Sequence, residues 1–116
     1  MTEKEQFYAD VFTCIMEDYG TNSWRQVTKY KWHDKGYKYY GEICEIGDGD
    51  MEELHTVNAA VIQSGLNRLE SGEVKINNTM GLNISEANKE NDAGQIDAYD
   101  ADAILQAGLF GELRYG

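Results

Sequence analysis

The fold is decided by residues 24–46, which read WRQVTKYKWHDKGYKYYGEICEI. Aromatic and β-branched side chains, which favour strands, dominate both halves of this stretch. The halves are separated by His33-Asp34-Lys35-Gly36, in which Gly36 can supply the positive φ that a tight turn requires. The stretch therefore predicts an antiparallel β-hairpin, followed by the polar loop Gly47-Asp48-Gly49-Asp50 and by an extended piece around Leu54 as a candidate third strand.

The residues before the hairpin form an amphipathic pattern. Thr2 and Glu5 have the spacing of a capping box, in which a hydroxyl and a carboxylate satisfy free backbone N–H groups at a helix start. Apolar residues then recur with the period of a helix until Gly20, which can take the left-handed conformation of a helix end. The sequence predicts a helix here whose core side carries Phe7, Val11, Cys14, Ile15 and Asp18, with Tyr8, Phe12 and Tyr19 beside them.

The residues after the hairpin indicate a second helix. Thr56 is placed to cap it, apolar residues recur on one side from Val57 to Ser71, and Gly72 is a stop signal. Gly65 lies within the apolar side, where a glycine costs about 1 kcal/mol relative to alanine. We therefore expect another backbone to pass close to Gly65.

The last third of the chain has weaker helical signals. Residues 74–78 predict a short linker or strand, and residues 79–91 carry a helical pattern that asparagine and glycine dilute. A final helix is expected to start at Asp97 or Asp100, because a carboxylate suits the positive end of the helix dipole. It is expected to end at Gly111.

The C-terminal end and the length complete the fold prediction. Leu113 and Tyr115 alternate as in an extended strand, which favours a docked tail over a frayed one. A length of 116 residues with 41% hydrophobic content fits one folded domain and excludes a two-domain enzyme. The sequence therefore predicts a single α+β domain over residues 1–116: an N-terminal helix, an antiparallel β-hairpin with a third strand left open, and two to three helices packed on the sheet.

The chain start and the cysteines predict an intracellular protein. Charged residues follow Met1, where a secretory signal would need an apolar run, and no stretch approaches the ~18 apolar residues of a membrane span. We expect a cytoplasmic protein with no membrane contact. Cys14 and Cys44 are then expected to stay reduced and to pack as small apolar residues.

Charge is unevenly distributed along the chain. There are 21 acidic against 10 basic residues, and the formal net charge is -11. Residues 24–40 nevertheless carry five basic side chains and one acidic one. The net charge of the rest of the chain is therefore more negative than -11. The overall charge excludes a protein that coats duplex DNA, because such binding depends on lysine and arginine displacing counterions.

The basic hairpin has three alternative interpretations. Its cations and rings could form a platform for single-stranded nucleic acid, with lysines on the phosphates and rings stacked on the bases. In a half-exposed sheet, the same aromatics instead fill the inner face while the lysines protect the edge from aggregation. A protein partner could also use exposed rings as an interface hot spot. The candidate contact residues are Trp24, Arg25, Lys29, Tyr30, Lys31 and Trp32.

The acidic residues suggest mimicry of DNA, in which carboxylates occupy the basic groove of a nuclease or repressor. The alternative is that the acidity only provides solubility. A first cluster, taken as a candidate partner-binding surface, comprises Glu42, Glu45, Asp48, Asp50, Glu52 and Glu53. A second cluster comprises Glu86, Glu90, Asp92, Asp97, Asp100 and Asp102.

Residues 91–100 resemble part of a calcium loop. Aligning Gly94 with the glycine of an EF-hand loop, however, places Lys89 and Ala93 where carboxylates are needed. Helix capping and a polar turn explain the acidic side chains of this segment more simply, and cation binding is left open for Asp92, Asp97 and Asp100.

The remaining metal and catalytic patterns are weak. Cys14, His33, Cys44 and His55 lack the short ligand pairs of structural zinc sites and are expected to be core thiols and turn histidines. Two histidines without a nucleophile motif give no catalytic signature. We therefore expect a protein that is not an enzyme, with no catalytic residue, no cofactor and no bound metal.

Three stretches of the chain resemble a family of small acidic proteins of bacteriophages and bacterial mobile elements, most of them hypothetical proteins. They are WRQVTKYKW at 24–32, ENDAGQIDA at 90–98 and DAILQAGLFGELRYG at 102–116. Residues 56–72 also fit the family in position, whereas residues 74–88 are less similar. No activity is established for the family, so the resemblance implies no catalytic residue.

The resemblance implies a class of function. Small acidic phage proteins without enzyme motifs often bind and inhibit a host machine, including CRISPR and restriction complexes. By analogy, the first expectation is an anti-defence interaction protein in the host cytoplasm that binds a host protein complex, for example a nuclease, through its acidic surface or its aromatic hairpin. The alternative is a single-stranded nucleic-acid-binding accessory protein that uses the basic hairpin.

Overall fold

A computed structural model describes residues 2–17, 24–33, 38–47 and 50–115, with the side chains of 32, 33, 38, 47 and 50–52 outside the description. The helices are α1 (Glu3–Met16), α2 (Ala59–Ser71), α3 (Asn78–Glu90) and α4 (Ala98–Phe110), with a short 3₁₀ helix at Ala93–Gln95. The strands are β1 (Arg25–His33), β2 (Lys38–Gly47) and β3 (Asp50–Val57). The α+β prediction is confirmed, and α2, α3 and α4 account for the helices expected after the sheet.

The sheet is antiparallel with strand order β1-β2-β3, which confirms the hairpin and the third strand. Of the predicted turn 33–36 and the predicted loop 47–50, residues 34–36 and 48–49 lie outside the described residues. The other three are strand residues: His33 ends β1, Gly47 ends β2 and Asp50 begins β3. The pairing of β1 with β2 slips between Val27 and Lys29, so Val27 pairs with Ile43 and Lys29 pairs with Glu42. A bulge of this kind adds a residue to one strand and changes which side chains share a face. As a result, Val27 and Tyr30 both reach the helices, while Lys29 is exposed.

The helix starts follow local capping chemistry. Thr2 and Glu5 form the predicted capping box of α1. The predicted cap of α2 at Thr56 is wrong, because β3 continues to Val57 and the Asn58 side chain accepts from the Val61 N–H at 3.1 Å instead. Both candidate starts of α4 take part in one capping box, with Asp97 as N-cap and Asp100 as its third residue.

The helix ends are set mainly by residues in the left-handed region. Gly72 ends α2 at φ 81° and Gly111 ends α4 at φ 69°, as predicted. Asn91 ends α3 at φ 54°, a conformation that asparagine tolerates better than most residues. The first helix stops at Met16, before the predicted Asp18 and Gly20, which lie outside the described residues. Residues 74–77 form a linker without a strand, and α3 begins one residue earlier than predicted.

Helices α2 and α4 cross in backbone contact at two glycines. A Cβ atom on Gly65 would lie 2.1 Å from the carbonyl oxygen of Ile104, and one on Gly108 would lie 2.1 Å from that of Val61. Neither distance is compatible with any side chain larger than hydrogen. The close approach predicted for Gly65 is therefore confirmed.

The core lies between the helices and one face of the sheet. Phe12 of α1 packs on Tyr30 and Tyr39, with ring centroids 5.6 and 4.6 Å away. Cys44 is buried, Cys14 is half-buried, and no disulfide joins these two described residues, as the sequence predicts. Within the described ranges, no helix is long and apolar enough to cross a membrane. The largest fully buried side chains include Phe7, Phe12, Ile15, Ile43, Ile62, Leu66, Ile84, Ile104 and Leu105.

Candidate functional site

Two of the predicted hairpin contacts are core residues. Trp24 is 5% exposed and Arg25 is 8% exposed. The indole N–H of Trp24 donates to Asp102 Oδ1 at 3.0 Å, and Arg25 Nε lies 3.4 Å from the same oxygen. Arg25 also donates to the carbonyl oxygen of Ile15 at 3.0 Å. These two side chains therefore hold the hairpin against α1 and α4 and take no part in the surface of the free protein.

The rest of the basic hairpin forms a smaller exposed surface. Lys29 and Lys31 are exposed, and Lys31 pairs directly with Tyr40, whose ring is also exposed. Tyr30 is accessible in part, but one face of its ring stacks on Phe12. The side chain of Trp32 lies outside the described residues. Among the described side chains of the hairpin, the exposed surface thus includes two lysines and two partly exposed tyrosine rings from neighbouring strands.

The first acidic cluster does not form one surface in the described part of the chain. Glu42 is half-buried and accepts a hydrogen bond from the Thr28 hydroxyl at 2.9 Å. Glu45 is buried, and Glu53 is exposed on the neighbouring strand. Asp48 and the side chains of Asp50 and Glu52 lie outside the described residues.

Glu45 is the centre of a polar cluster on the helix-facing side of the sheet. Its Oε2 lies 2.8 Å from His55 Nε2, and its Oε1 accepts from the Tyr115 hydroxyl at 2.7 Å. Arg114 Nη1 is 3.9 Å from Oε1. Burial acts to raise the pKa of Glu45, but the hydrogen bonds from His55 and Tyr115 outweigh it, so the pKa lies below its usual value. Glu45 is therefore held as a buried carboxylate.

The C-terminal tail docks beside this cluster, as the alternation of Leu113 and Tyr115 predicts. The Gln106 side chain accepts from the Tyr115 N–H at 2.9 Å and donates to its carbonyl oxygen at 3.1 Å, as a neighbouring strand would. It also donates to Asp102 Oδ2 at 2.8 Å. The sequence interpretation placed Asp102 in the second acidic cluster, which is wrong because its carboxylate is buried against Trp24 and Gln106, and it missed Gln106. The signal was present, because Asp102 and Gln106 are polar residues four positions apart in a mostly apolar helix.

His55 is not the turn residue that the sequence predicts. It lies within β3, opposite Ile43, and its ring meets Phe110 edge-on at 5.3 Å. Potential metal-binding atoms of Glu45, Glu53 and His55 all lie within 4.8 Å of one another. Glu53 and His55 are two positions apart in the sequence, whereas the approach of Glu45 depends on the pairing of β2 with β3.

A second surface lies between α3 and the start of α4. It is an open groove of about 630 Å³ whose most exposed apolar residues are Leu82 and Tyr99, at 68% and 66%. No lysine or arginine is among its described lining residues, which are Asn77, Thr79, Met80, Leu82, Asn83, Glu86, Asp97, Tyr99 and Asp100. We refer to it below as the α3–α4 groove.

Three members of the second acidic cluster, Glu86, Asp97 and Asp100, line this groove, whereas Glu90 and Asp92 are not among its lining residues. Gln95 Nε2 donates to Glu90 at 2.9 Å and to Asp92 at 3.2 Å, and Asn83 Nδ2 donates to Asp100 at 2.6 Å. Burial raises the pKa of Asp100, partly opposed by its hydrogen bonds. Glu86, Glu90, Asp92 and Asp97 are exposed. The lining of the groove therefore carries two exposed carboxylates, Glu86 and Asp97, and the buried carboxyl group of Asp100.

Comparison with protein-family models, with curated proteins and with solved structures finds no match to this chain.

Proposed function

We propose that this chain is a non-catalytic interaction protein that binds a basic segment of a partner protein in the α3–α4 groove. The single observation that carries the proposal is the position of Leu82 and Tyr99, both about two-thirds exposed, in a groove whose charged lining residues are all acidic. Large exposed apolar side chains rimmed by polar groups are typical of interaction sites. The surrounding carboxylates would select lysine- or arginine-rich partners and speed their approach.

The class of partner follows from this charge and from the phage-like stretches of the sequence. Host defence nucleases and their complexes expose basic grooves for nucleic acid, and an acidic protein can compete for such a groove. The proposed action is therefore inhibition of a host complex of the CRISPR or restriction type. Tyrosine is also among the residues enriched at binding hot spots, which favours Tyr99 as an anchor.

Single-stranded nucleic-acid binding is a second candidate, supported by one specific feature. Lys29, Lys31 and Tyr40 are exposed on paired strands, with Lys31 directly opposite Tyr40. Cations beside an accessible ring are the arrangement used for sequence-tolerant binding of single strands. Burial of Trp24 and Arg25 leaves this surface with fewer contacts than the sequence indicates.

Charge-reversal variants separate the two candidates. The tagged protein is used to capture partners from bacterial lysate with and without nuclease treatment, with Glu86→Lys and Leu82→Asp as groove variants. Glu17→Lys, at an exposed position at the end of α1, is the matched control for the change in charge. Lys29→Glu with Lys31→Glu tests the hairpin.

The proposal predicts a stoichiometric protein that the wild type, the Glu17 variant and the hairpin variant retain and that both groove variants lose. Its binding should weaken as salt rises, because exposed charges are screened. Retention by the groove variants, or loss of all captured material on nuclease treatment, would contradict the proposal, and the second result would favour the nucleic-acid candidate.

A further inference from the structure

The cluster of Glu45, Glu53 and His55 has the composition and spacing of a metal site, and it is separate from the α3–α4 groove. Glu53 and His55 are two residues apart on β3, so their side chains leave the same face of the strand. Glu45 comes from the paired strand β2, and one donor atom from each of the three residues lies within 4.8 Å of the others. His55 Nε2 and Glu45 Oε2 are 2.8 Å apart and share a hydrogen bond, so a tetrahedral ion would replace that hydrogen bond and separate the two atoms to about 3.3 Å.

Groups outside the cluster already orient two of the three donors. The Tyr115 hydroxyl donates to Glu45 Oε1 at 2.7 Å, which leaves Oε2 directed towards His55. The ring of Phe110 meets His55 edge-on, with planes 81° apart, and so limits rotation of the imidazole. Hydrogen bonds to the outer oxygen of a ligating carboxylate are a regular part of metal sites, because they fix its direction and raise its affinity.

The charged groups around the cluster leave the Oε2 side of Glu45 available to a cation. Arg114 approaches Glu45 only on the Oε1 side, at 3.9 Å. Its guanidinium is also held by Glu112 at 3.2 Å and lies over the Phe110 ring at 4.2 Å. On the Oε2 side, the cluster therefore offers the carboxylates of Glu45 and Glu53 and the imidazole nitrogen of His55.

We propose that Glu45, Glu53 and His55 bind a divalent first-row transition-metal ion, with zinc as the best-fitting member of the class. An imidazole nitrogen with carboxylate oxygens suits zinc and its neighbours better than magnesium or calcium, which take oxygen ligands. Three protein donors leave a further coordination position for water. Exposure of Glu53 gives the ion a route from solvent to the buried carboxylate of Glu45.

The bound ion would link β2 to β3 at the end of the sheet where the C-terminal tail docks. A ligand that binds only the folded state stabilises that state by RT ln(1 + L/Kd), an amount that rises with the concentration L of free ligand. The ion would thus tighten both the strand pair and, through Glu45 and Tyr115, the tail.

The test is a calorimetric titration of zinc into protein first treated with a chelator and then freed of it. The variants are Glu53→Gln, which changes an exposed side chain, and His55→Gln. Matched controls are Glu42→Gln, a half-buried glutamate of the same strand as Glu45, and His33→Gln, the other histidine of the chain. Cobalt provides a second probe, because its visible absorption reports nitrogen and oxygen coordination and its paramagnetism broadens the amide signals of nearby residues.

We expect one equivalent of zinc to bind to the wild type and to both controls, with affinity at least about tenfold weaker in Glu53→Gln and in His55→Gln. Cobalt should broaden the amide signals of residues around 45, 53 and 55. Unchanged affinity in Glu53→Gln, loss of binding in either control, or no saturable binding to the wild type would overturn the proposal. Circular dichroism of each variant excludes unfolding as the cause of a lost signal.

Discussion

The indole ring of Trp24 lies parallel to the phenol ring of Tyr115, with centroids 4.7 Å apart and planes 7° apart. The two residues come from the start of the hairpin and from the C-terminal tail, so this stack packs the tail against the hairpin at one end of the sheet. Both rings also use their polar atoms, the indole N–H on Asp102 and the phenol hydroxyl on Glu45. Apolar contact and buried polar contact thus act at the same junction.

Removal of the Tyr115 ring should destabilise the whole domain. We expect Tyr115→Ala to lower the free energy of unfolding by about 2–4 kcal/mol, because a large aromatic contact and a hydrogen bond to a buried carboxylate are both lost. Tyr115→Phe keeps the stack and should cost about 1–2 kcal/mol through the lost hydroxyl alone. Urea denaturation followed by tryptophan fluorescence measures both values. Equal stability of the wild type and Tyr115→Ala would show that the tail does not dock.

The crossing of α2 and α4 should not tolerate a methyl group. Gly65→Ala and Gly108→Ala each place a Cβ 2.1 Å from a carbonyl oxygen, and the required separation of the helices should cost about 2–3 kcal/mol. Gly81→Ala in α3 is the control, because its Cβ would meet only Ile76 atoms at 3.8 Å or more. Alanine there should stabilise by about 0.5–1 kcal/mol, since glycine is the poorer helix former. Thermal unfolding of the three variants tests this prediction. Melting temperatures of the Gly65 and Gly108 variants similar to that of the Gly81 control would contradict the close crossing.

Asp102 should be the most sensitive polar residue of α4. It accepts from Trp24 and from Gln106 and lies beside the Arg25 guanidinium, all in the interior. We expect Asp102→Ala to cost about 3–5 kcal/mol, because removal of one partner leaves a buried charge uncompensated. Asp102→Asn keeps hydrogen-bonding capacity and should cost less than Asp102→Ala. Chemical denaturation tests this order, and a neutral effect of Asp102→Ala would refute the buried network.

Tyr39 should make stability fall at alkaline pH. Burial raises its pKa to about 12, and the charges of Glu5 and Asp10 act in the same direction. The folded-state pKa is above the ordinary value of 10.0, so the contribution of the neutral phenol is complete below pH 10 and is lost as pH rises towards 12. Tyr39→Phe removes this ionisation and should gain stability relative to the wild type across that range. Parallel stability–pH curves for the two proteins would contradict the prediction.

The predictable parts of the fold are those encoded over a few residues. The capping boxes at Thr2 and Asp97, the stops at Gly72 and Gly111 and the strand composition of the hairpin each depend on short spacings in the sequence. The close approach at Gly65 was also predictable, because a glycine inside an apolar helix side needs a reason.

The candidate sites were less accessible to sequence because they depend on contacts between distant residues. Trp24 and Arg25 are buried through Asp102, some 77 residues away, and no local pattern marks that pairing. The bulge beside Thr28 reassigns which hairpin side chains are exposed, and a single extra residue leaves no sequence signature. The α3–α4 groove likewise arises from the packing of a helix whose own pattern is weak.

The most direct test of the central claim is photo-crosslinking from the α3–α4 groove in living bacterial cells. A photo-reactive amino acid replaces Leu82 in one protein and Tyr40 in another, since both side chains are exposed but lie on different surfaces. The account predicts a discrete, nuclease-resistant protein adduct from position 82 and none from position 40, with basic residues in the crosslinked partner peptide. Adducts from position 40 alone, or nucleic-acid adducts in place of protein, would contradict it.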